Sequence, residues 1–162
     1  MEHFASVLRP RGQRPGADLT LTSPGEAEKA RRFPSGLPGY APTPLVSLDG
    51  LAHSLGVSQI WIKDESKRFG LNAFKGVGGG YAMARGLSEK LGKPLEEMSF
   101  EGLGAPAARR ALGDITFVTA TDGNHGRGVA WAARLLGQKA VVYMPKGSAA
   151  ERLENIRAQG AQ

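Results

Sequence analysis

Lys75 is the first side chain whose type and position could do chemistry. It lies in the string NAFKG at residues 72–76, which predicts the first turn of a helix. The positive end of the helix dipole and partial burial would both favour a neutral amine there, and a neutral amine forms Schiff bases with carbonyl compounds. Considered alone, the position is more typical of an ordinary solvated lysine.

Three glycines follow this lysine, at Gly78, Gly79 and Gly80. Each costs about 1 kcal/mol relative to alanine in a helix interior. Such a run indicates that another backbone or a ligand comes close to this helix. The run fits neither a Walker phosphate loop, which needs Lys and then Ser or Thr after its last glycine, nor a dinucleotide fingerprint, which must directly follow a strand.

The loop at residues 119–126, TATDGNHG, is the second candidate. It joins the C-terminal end of a predicted strand to a helix start, where ligands bind in parallel sheets. Backbone N–H groups from Thr121 through Gly123 to His125 could hold an anion such as a substrate carboxylate. Asn124 offers a cofactor both a donor and an acceptor. The imidazole of His125 is interpreted as structural, with its hydrogen bonds satisfied.

Asp122 lies in the same loop, where its charge would repel a bound carboxylate. That conflict favours a role with a cationic group of a substrate or in proton transfer. The alternative is a turn-forming aspartate that accepts a hydrogen bond from its own backbone. The residue alone favours the turn, and the adjacent anion site favours the chemical role.

The composition excludes several other kinds of chemistry. The 162 residues include no cysteine, which rules out disulfides, zinc–thiolate sites and thiol nucleophiles. His3 and His53 have no metal-ligand spacing to His125, so no metal site is predicted.

The charge and hydropathy patterns bear on partners. The net charge is +6, but the basic residues are scattered apart from Arg9, Arg11 and Arg14, with no aromatic residues between them for base stacking. We therefore expect no nucleic-acid partner. No apolar run approaches the length of a membrane span and the N-terminus lacks a secretory pattern, so we expect no membrane partner and a cytoplasmic location.

The elements that must position these residues follow from periodicity and caps. Ser23, Ser47, Asn72 and Ser148 are the predicted N-terminal caps, and Glu26 and Glu151 complete capping boxes with the first and last of them. The first helix is expected to end before Pro34. Strands are predicted at 59–63, 115–120 and 140–144, and later helices at 48–55, 73–91, 105–112, 124–136 and from 149 to near Gly160.

This alternation predicts an α/β fold with a parallel sheet, flanking helices and right-handed βαβ units. The sequence stops directly after a helix, where the pattern requires a further strand. We therefore expect a truncated architecture.

The two candidate segments together resemble the fold-type-II enzymes that depend on pyridoxal 5′-phosphate (PLP), the group of tryptophan synthase β and threonine dehydratase. In that group the lysine segment reads S-x-F-K and the second loop S-S-G-N-H/T-[AG], against NAFK and TDGNHG here. Longer strings are closer to the diaminopropionate ammonia-lyase family: KDES at 63–66, RFGLNAFK at 68–75, ATDGNHGRGVAW at 120–131 and VYMPKG at 142–147. The resemblance extends from about residue 35 to the end.

The resemblance implies that Lys75 holds PLP as a Schiff base and that the full enzyme converts 2,3-diaminopropionate to pyruvate and ammonia by α,β-elimination. Lys75 would be the base on one face of the substrate. Asp122 would serve the opposite face, which would admit the D-isomer, or hold the β-ammonium group. Asn124 would contact a ring oxygen of PLP, and the substrate would be bound by Thr121, Asp122, Gly123 and His125.

The resemblance also implies a domain organisation and partners. Residues 1–34 would form an arm and a short helix, 35–92 the start of a large PLP domain, and 93–162 part of a small α/β domain. The partners would be a small amino-acid substrate and, at full length, a second copy in a homodimer. The family's phosphate-binding loop lies further along its chains.

Two alternatives stay open at this point. One is another PLP lyase, similar to the serine and threonine dehydratases, against which Asp122 and the string at 63–74 argue. The other is an inactive truncated remnant or a non-enzymatic basic module.

Overall fold

The computed structural model describes residues 20–162 of the chain. It contains four strands, β1 Leu45–Ser47, β2 Trp61–Lys63, β3 Thr116–Ala120 and β4 Lys139–Tyr143. Seven α-helices accompany them, α1 Pro24–Ser35, α2 Asp49–Leu55, α3 Lys75–Lys90, α4 Phe100–Gly104, α5 Pro106–Leu112, α6 Asn124–Leu135 and α7 Ala150–Arg157. Most of the predicted arm, with Arg9, Arg11, Arg14 and His3, lies outside the described residues.

The described strands form two small sheets. β3 and β4 are parallel, in a register running from Thr116 opposite Lys139 to Ala120 opposite Tyr143, and α6 connects them. This βαβ unit confirms the predicted α/β class and parallel pairing. The strand predicted at 59–63 does not join this parallel sheet. Its last three residues form β2 and pair antiparallel with β1, a strand that was not predicted.

The core lies where α3 packs across α6. Its buried side chains are mostly aliphatic and small, which lets the helix axes come close. The central members are Ala84, Leu87, Leu103, Trp131, Ala132 and Leu136. α6 in turn covers one face of the β3–β4 sheet, through Ala140 among others. The core therefore fixes the start of α3 relative to the start of α6.

Only one of the four predicted N-terminal caps is correct. Ser23 accepts a hydrogen bond from the Glu26 N–H at 3.3 Å, as expected. The Ser47 hydroxyl instead donates to the Asp49 carboxylate, and the Ser148 hydroxyl donates to the Pro145 carbonyl at 2.9 Å. Both hydroxyls are hydrogen-bonded to acceptors nearby in the chain, so neither caps a helix.

Asn72 is the remaining wrong cap. Its φ of 52° places it in the left-handed region, and α3 begins three residues later, at Lys75. α1 also differs from expectation, because it runs through Pro34 to Ser35. Pro34 lies in the last turn, where the missing N–H removes a single hydrogen bond.

Within residues 20–162, no helix combines the length and apolarity needed to span a bilayer. The same part of the chain contains no group of three or more His, Asp or Glu side chains that could hold a metal ion.

Candidate active site

The starts of α3 and α6 touch through their backbones. A Cβ added at Gly128 would lie 2.9 Å from the Gly76 nitrogen and 3.0 Å from the Lys75 carbonyl carbon. Only glycine permits this approach. Asn124 lies four residues before Gly128 and so on the same face of α6. The two segments singled out in the sequence therefore meet at one edge of the molecule.

The close approach expected near the glycine run is at Gly76 rather than within the run. A Cβ at Gly76 would lie 3.0 Å from Leu71 Cδ1 and 3.3 Å from the Trp131 ring. A Cβ at Gly78 would meet nothing within 4 Å, and at Gly79 and Gly80 the nearest atoms would be 3.9 Å away. The run itself therefore needs no glycine for packing among the described residues.

Lys75 is the first residue of α3, as the sequence predicts for a helix start. Its side chain is exposed, so the expected partial burial is wrong for this chain. No ion pair within residues 20–162 involves Lys75. Its amine is thus accessible to a carbonyl compound.

The segment before Lys75 is held to α6 by Arg127. This segment bends through left-handed φ values of 53° at Phe69, 67° at Gly70 and 52° at Asn72. The Arg127 guanidinium donates to the Leu71 carbonyl at 3.0 Å and to the Gly70 carbonyl at 3.5 Å. Sequence reasoning gave Arg127 no role, because its partners lie more than fifty residues away.

A buried arginine anchors the other end of the same segment. Arg68 is only 7% exposed and donates to both carboxylate oxygens of Glu65, at 2.9 and 3.0 Å. Its guanidinium lies over the Tyr40 and Phe69 rings, and Phe69 stacks on Trp131 with ring centroids 4.6 Å apart.

The Arg68 hydrogen bond also controls the charge of its partner. It lowers the pKa of the Glu65 carboxyl from 4.5 to about 2, helped by the hydroxyl of Thr43. Glu65 in turn raises the pKa of Arg68. The pair is therefore fully charged at neutral pH.

The loop before α6 is packed tightly against β4. A Cβ at Gly126 would lie 2.3 Å from Thr121 Cγ2 and 2.7 Å from Val142 Cγ1, so only glycine fits. Two of the N–H groups expected to hold a carboxylate already have partners. Thr121 N–H donates to the Tyr143 carbonyl at 2.9 Å, and Gly123 N–H donates to the Thr121 hydroxyl at 3.2 Å.

The first turn of α6 supplies the remaining donors. Asn124 and His125 are its first two residues, and N–H groups at a helix start have no intrahelical partner. Both side chains are exposed. The interpretation of His125 as a satisfied structural histidine is wrong, because its imidazole makes no hydrogen bond within the described residues.

Asp122 is paired across the loop by a residue that sequence reasoning missed. Arg152 Nη1 donates to the Asp122 carboxylate at 3.1 Å and to its backbone carbonyl at 3.2 Å. Among the described residues the carboxylate accepts from this guanidinium and from no backbone N–H of its own turn, whereas a turn-forming aspartate accepts from that backbone. No local signal identifies Arg152, which lies thirty residues further along.

A cavity of about 430 Å³ lies elsewhere, between α1, α3 and residues 95–100. Neither Lys75 nor the loop before α6 lines it. The candidate site among the described residues is instead an open edge formed by the starts of α3 and α6.

The fold and this edge define a class of protein. Residues 37–162 match the family model described as "Pyridoxal-phosphate dependent enzyme", and the chain belongs to this family. It is 55% identical over 148 residues to diaminopropionate ammonia-lyase from Escherichia coli (strain K12), covering 91% of this chain and 36% of that enzyme. The chain thus spans about a third of the length of the curated relatives it matches.

Solved structures of the Escherichia coli enzyme also resemble the fold of this chain. Its crystal structure in complex with D-serine superposes with a TM-score of 0.80 at 55% identity, over 88% of this chain and 35% of that one. The complex with an aminoacrylate–PLP azomethine reaction intermediate gives a TM-score of 0.77 at 54% identity, over 88% and 34%.

The described residues fit the family's cofactor. PLP presents an aldehyde, one phenolic ring oxygen and an anionic phosphate. The amine of Lys75, which forms no ion pair within residues 20–162, matches the aldehyde, and Asn124, four residues before Gly128 on α6, offers a side-chain amide for the ring oxygen. This edge is open to solvent, because Lys75 and Asn124 are both exposed.

Proposed function

We propose that this chain supplies the lysine-bearing part of a PLP-dependent ammonia-lyase that converts 2,3-diaminopropionate to pyruvate and ammonia. The observation that carries the proposal is the backbone contact of Gly128 with Lys75 and Gly76. It brings an accessible lysine close to the start of α6, where Asn124 lies and which Asp122 directly precedes, in a chain 55% identical to diaminopropionate ammonia-lyase.

When bound, PLP would act as an electron sink for negative charge at the substrate's Cα. Lys75 would hold the cofactor through Nζ and, once released, take the Cα proton on its own side of the substrate. Asn124 would orient the cofactor through its amide. The N–H groups of Asn124 and His125, at the positive end of α6, would hold the substrate carboxylate.

Asp122 would act on a part of the substrate that Lys75 cannot reach, either the opposite face of Cα or the β-ammonium group. As a carboxylate it would take the Cα proton on the opposite side, so that the D-isomer is also a substrate, or it would bind the β-ammonium group by charge. The D-serine complex of the Escherichia coli enzyme supports a site that admits D-amino acids. The two roles differ in outcome, because loss of a base impairs one isomer and loss of an ammonium-binding group impairs both.

We propose further that the substrate is a small amino acid, that the full enzyme is a cytoplasmic homodimer, and that residues 35–92 and 93–162 belong to its large and small domains. A dehydratase-like lyase is the second candidate function. The acidic Asp122 argues against it, since a hydroxy amino acid offers no second cation for that carboxylate.

The test compares turnover of D- and L-diaminopropionate with that of L-serine by the PLP-loaded enzyme. We expect diaminopropionate to be preferred, and Asp122→Asn to lower turnover of at least one of its isomers by roughly 10²- to 10⁴-fold. The matched control is Asp114→Asn, an exposed aspartate paired with Lys139 and remote from this loop. Preferential turnover of serine, or an unimpaired Asp122→Asn enzyme, would contradict the proposal.

A further inference from the structure

Arg152 makes two hydrogen bonds to one residue of the candidate site. Its Nη1 reaches the Asp122 carboxylate at 3.1 Å and the Asp122 backbone carbonyl at 3.2 Å. One bond fixes the side chain, and the other fixes the peptide unit that carries it. A single guanidinium therefore holds both the position of Asp122 and the direction in which its carboxylate points.

The stem of Arg152 lies along the turn that follows Asp122. A Cβ added at Gly123 would be 3.7 Å from Arg152 Cδ, in ordinary van der Waals contact. Gly123 is the N-terminal cap of α6. Arg152 therefore lies across the junction between the Asp122 carboxylate and the N–H groups of the helix start.

The register of α7 is what aims Arg152 at this junction. Ile156, one turn later on the same face of α7, is 2% exposed. Its Cδ1 would be 3.4 Å from a Cβ at Gly126, so α7 is seated on the first turn of α6. The burial of Ile156 thus places Arg152 over the loop independently of the ion pair.

The pair contributes little to the stability of the fold. The side chains of Arg152 and Asp122 are 56% and 74% exposed, and exposed ion pairs are weak in general. Removing the guanidinium should leave the fold intact and alter only the geometry of the loop. The effect of Arg152 on the loop can therefore be tested by substitution without unfolding the protein.

We infer that Arg152 is a positioning residue that holds the Asp122 carboxylate in its working orientation. The inference rests on the proposed role of Asp122 and adds to it the residue on which that role depends. It applies whether Asp122 takes a proton from the D-isomer or binds the β-ammonium group.

The test is a double-mutant cycle in the PLP-loaded enzyme, with D- and L-diaminopropionate as substrates. Arg152→Gln should lower kcat/KM roughly 10- to 100-fold for whichever isomer Asp122→Asn impairs, and leave any other isomer unchanged. Arg152→Lys should recover part of the loss. The double variant should be no worse than Asp122→Asn, because a positioning residue has nothing left to position.

A second readout does not depend on activity. In the cofactor-free protein, Arg152→Gln should shift the NMR amide resonances of Gly123 and Asn124. The matched control is Arg157→Gln, on the same helix and paired with Glu154 among the described residues, which should change neither these resonances nor turnover.

Three results would overturn the inference. They are additive losses in the double variant, equal losses for both isomers when Asp122→Asn impairs only one, and unchanged Gly123 and Asn124 resonances in Arg152→Gln. An Asp122→Asn enzyme with normal turnover of both isomers refutes the proposed role of Asp122 and the inference with it. An impaired Asp122→Asn enzyme with a normal Arg152→Gln enzyme refutes the inference alone.

Discussion

Glu65 and Arg68 carry the charge that holds the lysine segment in place. Arg68 is buried with its guanidinium over two aromatic rings, and its charge is neutralised by the Glu65 carboxylate. A buried arginine without its partner is costly. The pair therefore stabilises the bend that delivers Lys75 to the start of α3, although neither residue takes part in the proposed chemistry.

We expect Glu65→Gln to lower the free energy of unfolding by about 2 kcal/mol at neutral pH, because Arg68 loses its counter-charge. The pKa of Glu65 is depressed from 4.5 to about 2, so the carboxylate's contribution is complete above pH 4.5 and is lost as the pH falls towards 2. Denaturant unfolding at a series of pH values measures the difference.

Glu154→Gln is the matched control for this prediction. Glu154 pairs with Arg157 on an exposed helix face, so its loss should change stability by no more than about 0.5 kcal/mol at any pH. If the difference in free energy of unfolding between Glu65→Gln and the parent chain stays constant as the pH falls towards 2, the depressed pKa of Glu65 is contradicted.

The contact between α3 and α6 is the element-scale feature on which the site depends. It needs glycine at position 128, where the neighbouring atoms are backbone and cannot rotate away. Separation of these helices would also draw Arg127 from the carbonyls of the lysine segment. Lys75 and Asn124 therefore share an edge only while the helices are in contact.

Gly128→Ala should lower the free energy of unfolding by about 1–3 kcal/mol, because the added methyl group overpacks the contact. Gly78→Ala is the control on the same helix pair. Its methyl group would meet nothing within 4 Å, so it should raise stability by up to about 1 kcal/mol through helix propensity. Equal effects of the two substitutions, measured by thermal or denaturant unfolding, would contradict the close contact.

The sequence predicted the elements whose signals are local and missed those set by distant contacts. Strands β3 and β4 and helix α6 lie within two residues of their predicted bounds, because β-branched runs and a Gly-rich helix start mark them. β1 was missed, since three residues carry no period and only its pairing with β2 defines it.

The same limit applies to the candidate site. The sequence identifies Lys75, Asp122 and Asn124 because each lies within a short continuous motif. It does not identify Arg127 and Arg152, because their partners lie far along the chain and arginine is common on helix surfaces. The prediction of Asn72 as a cap was wrong because contacts with α6 impose the left-handed bend before Lys75. Local propensity does not include such contacts.

At the scale of the whole molecule, the β3–β4 sheet has one covered and one open face. α6 covers the face that includes Ala140, while Val118 and Tyr143 on the opposite face are 63% and 65% exposed. Parallel sheets are ordinarily covered on both faces. Within residues 20–162 this face therefore presents apolar surface that a hydrophobic dye can bind.

The paired substitution of Val118 and Tyr143 by threonine should reduce binding of anilinonaphthalene sulfonate by the isolated chain without lowering its stability. Threonine is β-branched and so suits a strand at both positions, and it presents less apolar surface than valine or tyrosine. Ala107→Ser, on the exposed side of α5, should leave dye binding unchanged. Unaltered fluorescence in the paired variant would place the exposed apolar surface elsewhere.

The proposed function requires that Lys75 binds PLP covalently. The direct measurement is borohydride reduction of the PLP-loaded protein, followed by peptide mass spectrometry and by absorbance of the Schiff base before reduction. We expect one phosphopyridoxyl group on Lys75, lost together with the absorbance in Lys75→Ala and retained in Lys90→Ala at the far end of α3. A label on another lysine, or Schiff-base absorbance that persists in Lys75→Ala, would contradict it.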